Sequence, residues 1–180
     1  MKDSCVNCIF VCAIPIRSVN LKIPISVLVL IHNPNREVLL IERADRPDFW
    51  QSVTGSLDTP EETLDSAAVR EVAEETGIEV HALARGSLKN LYHYVEYEIY
   101  PTWRHRYPPG IERNTEHWFA LEVPVGTPVH LAPREHLNYL WLPFEEAAQK
   151  CFSQSNRDAI LKFFTQPNDF MGRSEDSIQS

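Results

Sequence analysis

Residues 55–78 read GSLDTPEETLDSAAVREVAEETGI, and the fold of the chain is decided there. Glu71, Glu74 and Glu75 fall within about one helical turn of each other, directly after Arg70. Like charges at i,i+3 and i,i+4 cost roughly 0.2–0.5 kcal/mol per pair, so a helix that keeps three of them needs a compensating positive charge. A hard divalent cation with oxygen ligands supplies one. Thr59 as N-cap, Pro60 at the first helical position and Glu62 completing a capping box mark the expected start of the helix, and Gly77 marks its end. On a helical wheel Glu71 and Glu75 lie near Leu64, Ala67 and Ala68, the side expected to pack. An exposed acidic helix, the usual origin of a charge run, would turn them the other way.

The flanks of this helix read as an α/β domain. Ile25 to Ile31 is a continuous apolar, β-branched run, the pattern of a strand buried on both faces. Asn33 to Arg36 reads as a turn and Val38 to Glu42 as the returning strand, with a third short strand from Trp50 to Thr54. Further strands are expected around Glu79–Ala84, Leu88–Tyr100, Glu116–Val123 and Tyr139–Leu142, and a final helix over Ser155–Phe164. Thr102 to Asn114, with Pro108, Pro109 and Gly110, reads as a long loop.

A chain of 180 residues can bury one good core, so one domain is expected over residues 21–165. Residues 1–20 read as an N-terminal extension outside the core, and residues 166–180 as a polar tail. A formal net charge of −8 argues against a nucleic-acid-binding surface, and no apolar run approaches the roughly 20 residues of a membrane span. Cys5-x-x-Cys8 resembles half a zinc site, but no second pair follows at suitable spacing. A cytoplasmic protein is expected, with the monomer favoured.

The helix and its approach resemble the Nudix box of the Nudix hydrolases: a Gly, a loop, a Glu, seven residues, then Arg-Glu-aliphatic-x-Glu-Glu-x-Gly-aliphatic. Glu62 stands at that spacing before Arg70, and Arg70 to Ile78 matches the remainder. The chain departs from the pattern once, with six residues between Gly55 and Glu62 where the family has five. An extra residue inside a helix would rotate everything beyond it by ~100°, whereas one in the loop needs only a different turn. The insertion is therefore assigned to the loop. Beyond the box, RPDFWQSVTGS (46–56), EIYPTWRHRYPPGIERNTEHWF (98–119), REHLNYLWL (134–142) and SNRDAI (155–160) are similar to a bacterial subgroup of Nudix enzymes that cleaves dihydroneopterin triphosphate and dATP.

The resemblance implies a Nudix α/β/α sandwich with a mixed sheet. It also implies Mg²⁺-dependent hydrolysis of dihydroneopterin triphosphate to the monophosphate and pyrophosphate, a step of folate synthesis, with Mn²⁺ as a substitute and side activity on dATP. A Nudix nucleoside triphosphate pyrophosphatase or an oxidised-nucleotide sanitising enzyme is the alternative. Glu71, Glu75 and Glu135 are the implied metal ligands, with Glu74 close by and Arg70 orienting the glutamates by pairing with one of them. Substrate contacts carry over to Lys22, Arg43, Thr54, Tyr97, Glu98, Ile99, Tyr100 and Ser153. The basic cluster Arg104-His105-Arg106 is left open between a phosphate contact and an exposed loop. Phe49 and Trp50 read as core, and His93, His117 and His136, which lack ligand spacing, as structural.

Overall fold

Ile25–His32 forms the central strand, β1, and its residues Val27 to Ile31 are at most 1% exposed. The apolar run is buried on both faces because helices cover both. The computed structural model describes residues 21–167 and residue 170, so the expected extension over residues 1–20, with Cys5 and Cys8, and most of the expected tail lie outside the described residues. The other strands are β2 (Glu37–Arg43), β3 (Trp50–Gln51), β4 (Val53–Ser56), β5 (Leu88–Glu98), β6 (Arg113–Glu122) and β7 (His136–Pro143). They pair in the order β3-β2-β1-β6-β5, with β4 also on β1 and β7 also on β2. β1 and β6 run parallel and the other pairs antiparallel, so the sheet is mixed.

The period-two alternation of β1 divides the core. Val27, Val29 and Ile31 pack with Ala67, Ala68 and Val72 of α1 (Leu64–Thr76). Leu28 and Leu30 face α2 (Phe144–Lys150) and α3 (Gln154–Thr165), through Ala147, Ala159 and Ile160. This is the α/β/α sandwich that the family resemblance implied. Alanines at 67 and 68 let α1 lie close to the sheet, which carries Glu71 and Glu75 down to β4.

The structure departs locally from these expectations. α1 starts four residues later than expected: Thr63 is its N-cap and accepts the Ser66 N–H at 3.1 Å, while the Glu62 N–H closes a turn onto the Thr59 carbonyl. The Glu62 carboxylate takes Arg70 and, through Oε2, the Asp58 N–H at 2.7 Å, one residue before the Thr59 N–H that a capping box would use. The third strand breaks at Ser52, whose N–H donates to the buried Asn156 Oδ1 at 2.7 Å instead of to a ladder. Its halves consequently pair with different strands, β3 with β2 and β4 with β1. The expected strand at 79–84 is a 3₁₀ turn over Val80–Ala82, and the long loop opens with a 3₁₀ helix over Pro101–Arg106. Helix α2 shows no period in the sequence, because seven residues span too few turns. The end of α1 is as expected, with Gly77 at φ 68° and its N–H on the Ala73 carbonyl.

Candidate active site

Arg70 organises the acidic helix. Nε and Nη2 donate to the two carboxylate oxygens of Glu62 at 2.8 and 3.1 Å, and Nη1 donates to Glu71 Oε1 at 2.7 Å and to Glu74 Oε2 at 3.2 Å. Nη2 also donates to the Ser56 carbonyl at 3.0 Å, tying the helix to the end of β4. The sequence reading gave Arg70 one glutamate; it holds three. The forked guanidinium can do this because its donors diverge in one plane. Its hydrogen bond keeps the Glu62 carboxyl below the usual carboxylate range.

Glu71 is turned toward Arg70 and lies against Gly55, where a Cβ built on the glycine would overlap the Glu71 carboxyl group. Burial pushes the Glu71 carboxyl up to about 7, opposed by the Arg70 hydrogen bond and reinforced by Glu75. Glu75 is 5% exposed and burial raises its carboxyl too, against the pull of His136. Its Oε2 accepts the Thr54 N–H at 3.2 Å, and its Oε1 stands 3.2 Å from His136 Nε2. Exposed Glu135 completes a group in which Glu75, Glu135 and His136 each offer a donor atom within 4.8 Å of the others. The turn that delivers Glu135 is fixed by its N–H on the Ala132 carbonyl and by the Ala44 N–H on its own carbonyl.

His136, read as structural for its lack of ligand spacing, offers a ring nitrogen to this group. Its adjacency to Glu135 was the available signal, and its partner Glu75 is distant in sequence. Buried carboxylates whose ionised forms are disfavoured by burial fit a divalent cation, whose charge offsets that cost. A hard cation prefers the oxygens of Glu75 and Glu135, which leaves the imidazole to hold Glu75 in place. Glu71 stands outside the compact group, and Glu74, exposed at the rim, leans on Arg70.

Beside this cluster runs a cleft that brings together Lys22, Arg43, Thr54, Tyr97, Glu98, Ile99, Tyr100 and Ser153. Arg106 also lines it, whereas Arg104 is turned to Glu112 at 2.7 Å and to the Ile99 carbonyl, so the basic cluster divides. Burial, followed by Arg106, lowers the Lys22 ammonium from its ordinary range. Arg43 is held by both oxygens of Asp45 at 2.8 and 2.7 Å, over the rings of Phe49 and Trp103. Phe49, read as core, is buried but lines the cleft and stacks on Phe152 at 4.0 Å. The Ser153 hydroxyl caps α3 and accepts from the backbone and side-chain nitrogens of Asn156 at 3.2 and 2.8 Å. Tyr97 and Glu98 alternate along β5 as expected, the tyrosine half-buried and the glutamate exposed.

The same cleft contains Glu116, a residue outside the candidate contacts read from the sequence. It is 3% exposed, and burial pushes its carboxyl up to about 7. A raised carboxyl favours the folded state while it stays protonated, fully below the unfolded value of 4.5, and this contribution is lost as pH rises through 7. Relative to wild type, Glu116→Gln therefore gains about 3 kcal/mol of stability between pH 4.5 and 8. Urea unfolding at several pH values in metal-free buffer measures this; parallel curves for the two proteins would show that Glu116 does not titrate on folding.

The fold and this site define a class. A family model described as the NUDIX domain matches residues 22–163, and the chain belongs to that family. It is 46% identical over 143 residues to the dihydroneopterin triphosphate diphosphatase of Escherichia coli K12, covering 79% of this chain and 93% of that protein. The enzyme of that name from Haemophilus influenzae is 37% identical over 139 residues, covering 77% of this chain and 85% of the other. The solved structure of the E. coli dihydroneopterin triphosphate pyrophosphohydrolase superposes with a TM-score of 0.72, covering 79% of this chain and 96% of that one. No helix among the described residues is long and apolar enough to cross a membrane.

Proposed function

We propose that the protein hydrolyses dihydroneopterin triphosphate to dihydroneopterin monophosphate and pyrophosphate with Mg²⁺, and dATP as a side substrate. One juxtaposition carries this reading: Thr54 lines the cleft while its N–H binds Glu75, so the acidic cluster adjoins a slot with cationic and aromatic walls. Identity of 46% to the E. coli enzyme supports the pterin as substrate. In this reading the enzyme is a cytoplasmic monomer.

When bound, a divalent cation would supply charge neutralisation for the phosphates and activation of the attacking water. Glu75 and Glu135 would hold it, with Glu71 as the third carboxylate that the family pattern assigns. Arg70 keeps Glu71 and Glu74 from swinging away, and His136 and the Thr54 N–H fix Glu75. Lys22, Arg43 and Arg106 receive the phosphate chain, while Tyr97 to Tyr100 and Ser153 border the ring. The test is a panel of dihydroneopterin triphosphate, dATP, dGTP and oxidised dGTP with Mg²⁺, with products identified by phosphorus NMR. Pyrophosphate release with the highest kcat/KM on the pterin is expected. Absence of release from it, alongside good turnover of a nucleotide, overturns the assignment.

A further inference from the structure

The buried carboxylate of Glu116 is an acceptor that no cation among the described residues pairs. Register places Ser26 beside Glu116 and Tyr97 opposite Asn114, so these side chains share one face of the sheet and border the cleft. Asn114 Nδ2 donates to Ser26 Oγ at 2.7 Å and to the Tyr97 hydroxyl at 3.1 Å. The Tyr97 hydroxyl, with its own proton left to give, lies 3.5 Å from Glu116 Oε2. Among the described residues, neither Glu116 Oε1 nor Asn114 Oδ1 has a hydrogen-bond partner. Ser155 and the Trp118 indole moderate the cost of ionising Glu116, but they are neutral groups. A carboxylate at a core-facing strand position destabilises the fold unless something in the cleft uses it.

We propose that Glu116, held by Tyr97 and Asn114, selects the ring of the substrate by accepting the amino and ring N–H groups of a 2-amino-4-oxo-pyrimidine edge, shared by pterin and guanine. This rests on the cleft being the substrate slot. Two parallel N–H donors match the two oxygens of one carboxylate, as a guanidinium does. The pairing edge of adenine offers one amino donor beside a ring-nitrogen acceptor, so one carboxylate oxygen would face a lone pair. A Gln at 116 offers one acceptor and one donor, which suits that edge instead.

The test compares wild type and Glu116→Gln on dihydroneopterin triphosphate, dGTP and dATP with Mg²⁺. The kcat/KM ratios of pterin to dATP and of dGTP to dATP are expected to fall about 10- to 100-fold, mainly through KM. Binding of dGTP and dATP in EDTA, followed by calorimetry, should show the same shift in preference without turnover. A wild type with no preference for the 2-amino-4-oxo rings, or equal losses on all three substrates, overturns the proposal. So do unchanged ratios. If wild type leaves the pterin untouched while the variant still shifts dGTP against dATP, the pterin assignment fails and the role of Glu116 stands.

Discussion

Glu75→Gln lowers kcat on the order of a thousandfold while the protein folds as before. The two halves of this expectation have separate causes. Glutamine retains an acceptor for the Thr54 N–H, and it removes a carboxylate whose ionised form burial disfavours. The unfolding temperature in metal-free buffer should therefore not drop below that of wild type. What glutamine removes is negative charge beside Glu135 and His136, where a cation would sit. Wild type should gain stability on titration with Mg²⁺, by about 2.7 kcal/mol at one hundred times the dissociation constant, and the variant should gain little. Retained activity, or an equal Mg²⁺ response in the two proteins, would remove Glu75 from the metal site.

Gly55→Ala is the second large effect, and it works by displacement. Gly55 sits in β4 directly against the Glu71 carboxyl group, and the added methyl overlaps it. The end of a glutamate can swing aside at little cost, so the loss of stability should stay near 1 kcal/mol. In swinging, however, Glu71 gives up its 2.7 Å bond from Arg70. A carboxylate misplaced by about 1 Å can cost on the order of a hundredfold in rate. Steady-state kinetics beside thermal unfolding separates the two, and a variant that loses stability without losing rate would show that Glu71 needs no fixed seat.

Much of this was legible in sequence because the signals were periodic or local. The run at Ile25–Ile31 gave a strand covered on both faces, and Gly77 gave the end of α1. The sequence signal is ambiguous where one side chain has two uses. Glu62 fits a capping box with Thr59, but its carboxylate goes to Arg70 and the Asp58 N–H, and the helix begins after Thr63 as N-cap. Ser52 has nothing unusual in its neighbours; only Asn156, far along the chain, shows why the strand breaks there. His136 is the same kind of case, meaningful only once β7 brings it to Glu75. Glu116 did leave a trace, a charge in step with Asn114 and Trp118 on the buried face of β6. Its purpose depends on Tyr97 from another strand.

The way Tyr97 arrives at that position has a consequence of its own. Between Asn90 and Tyr94, strand β5 advances four residues while β6 advances only two, from Phe119 to His117. The surplus is accommodated where Tyr92 takes φ 46°, with its N–H on the Asn90 Oδ1 at 2.8 Å. Two residues of strand amount to about 6.8 Å, so a regular ladder would put Val95 opposite Asn114 and carry the tyrosine hydroxyl one repeat away. The irregularity is a spacer that sets the length of β5. Face parity is kept, because the excess is even, and only reach is altered. Insertions or deletions in pairs at this point could retune what the far end of the slot touches without disturbing the sheet on either side.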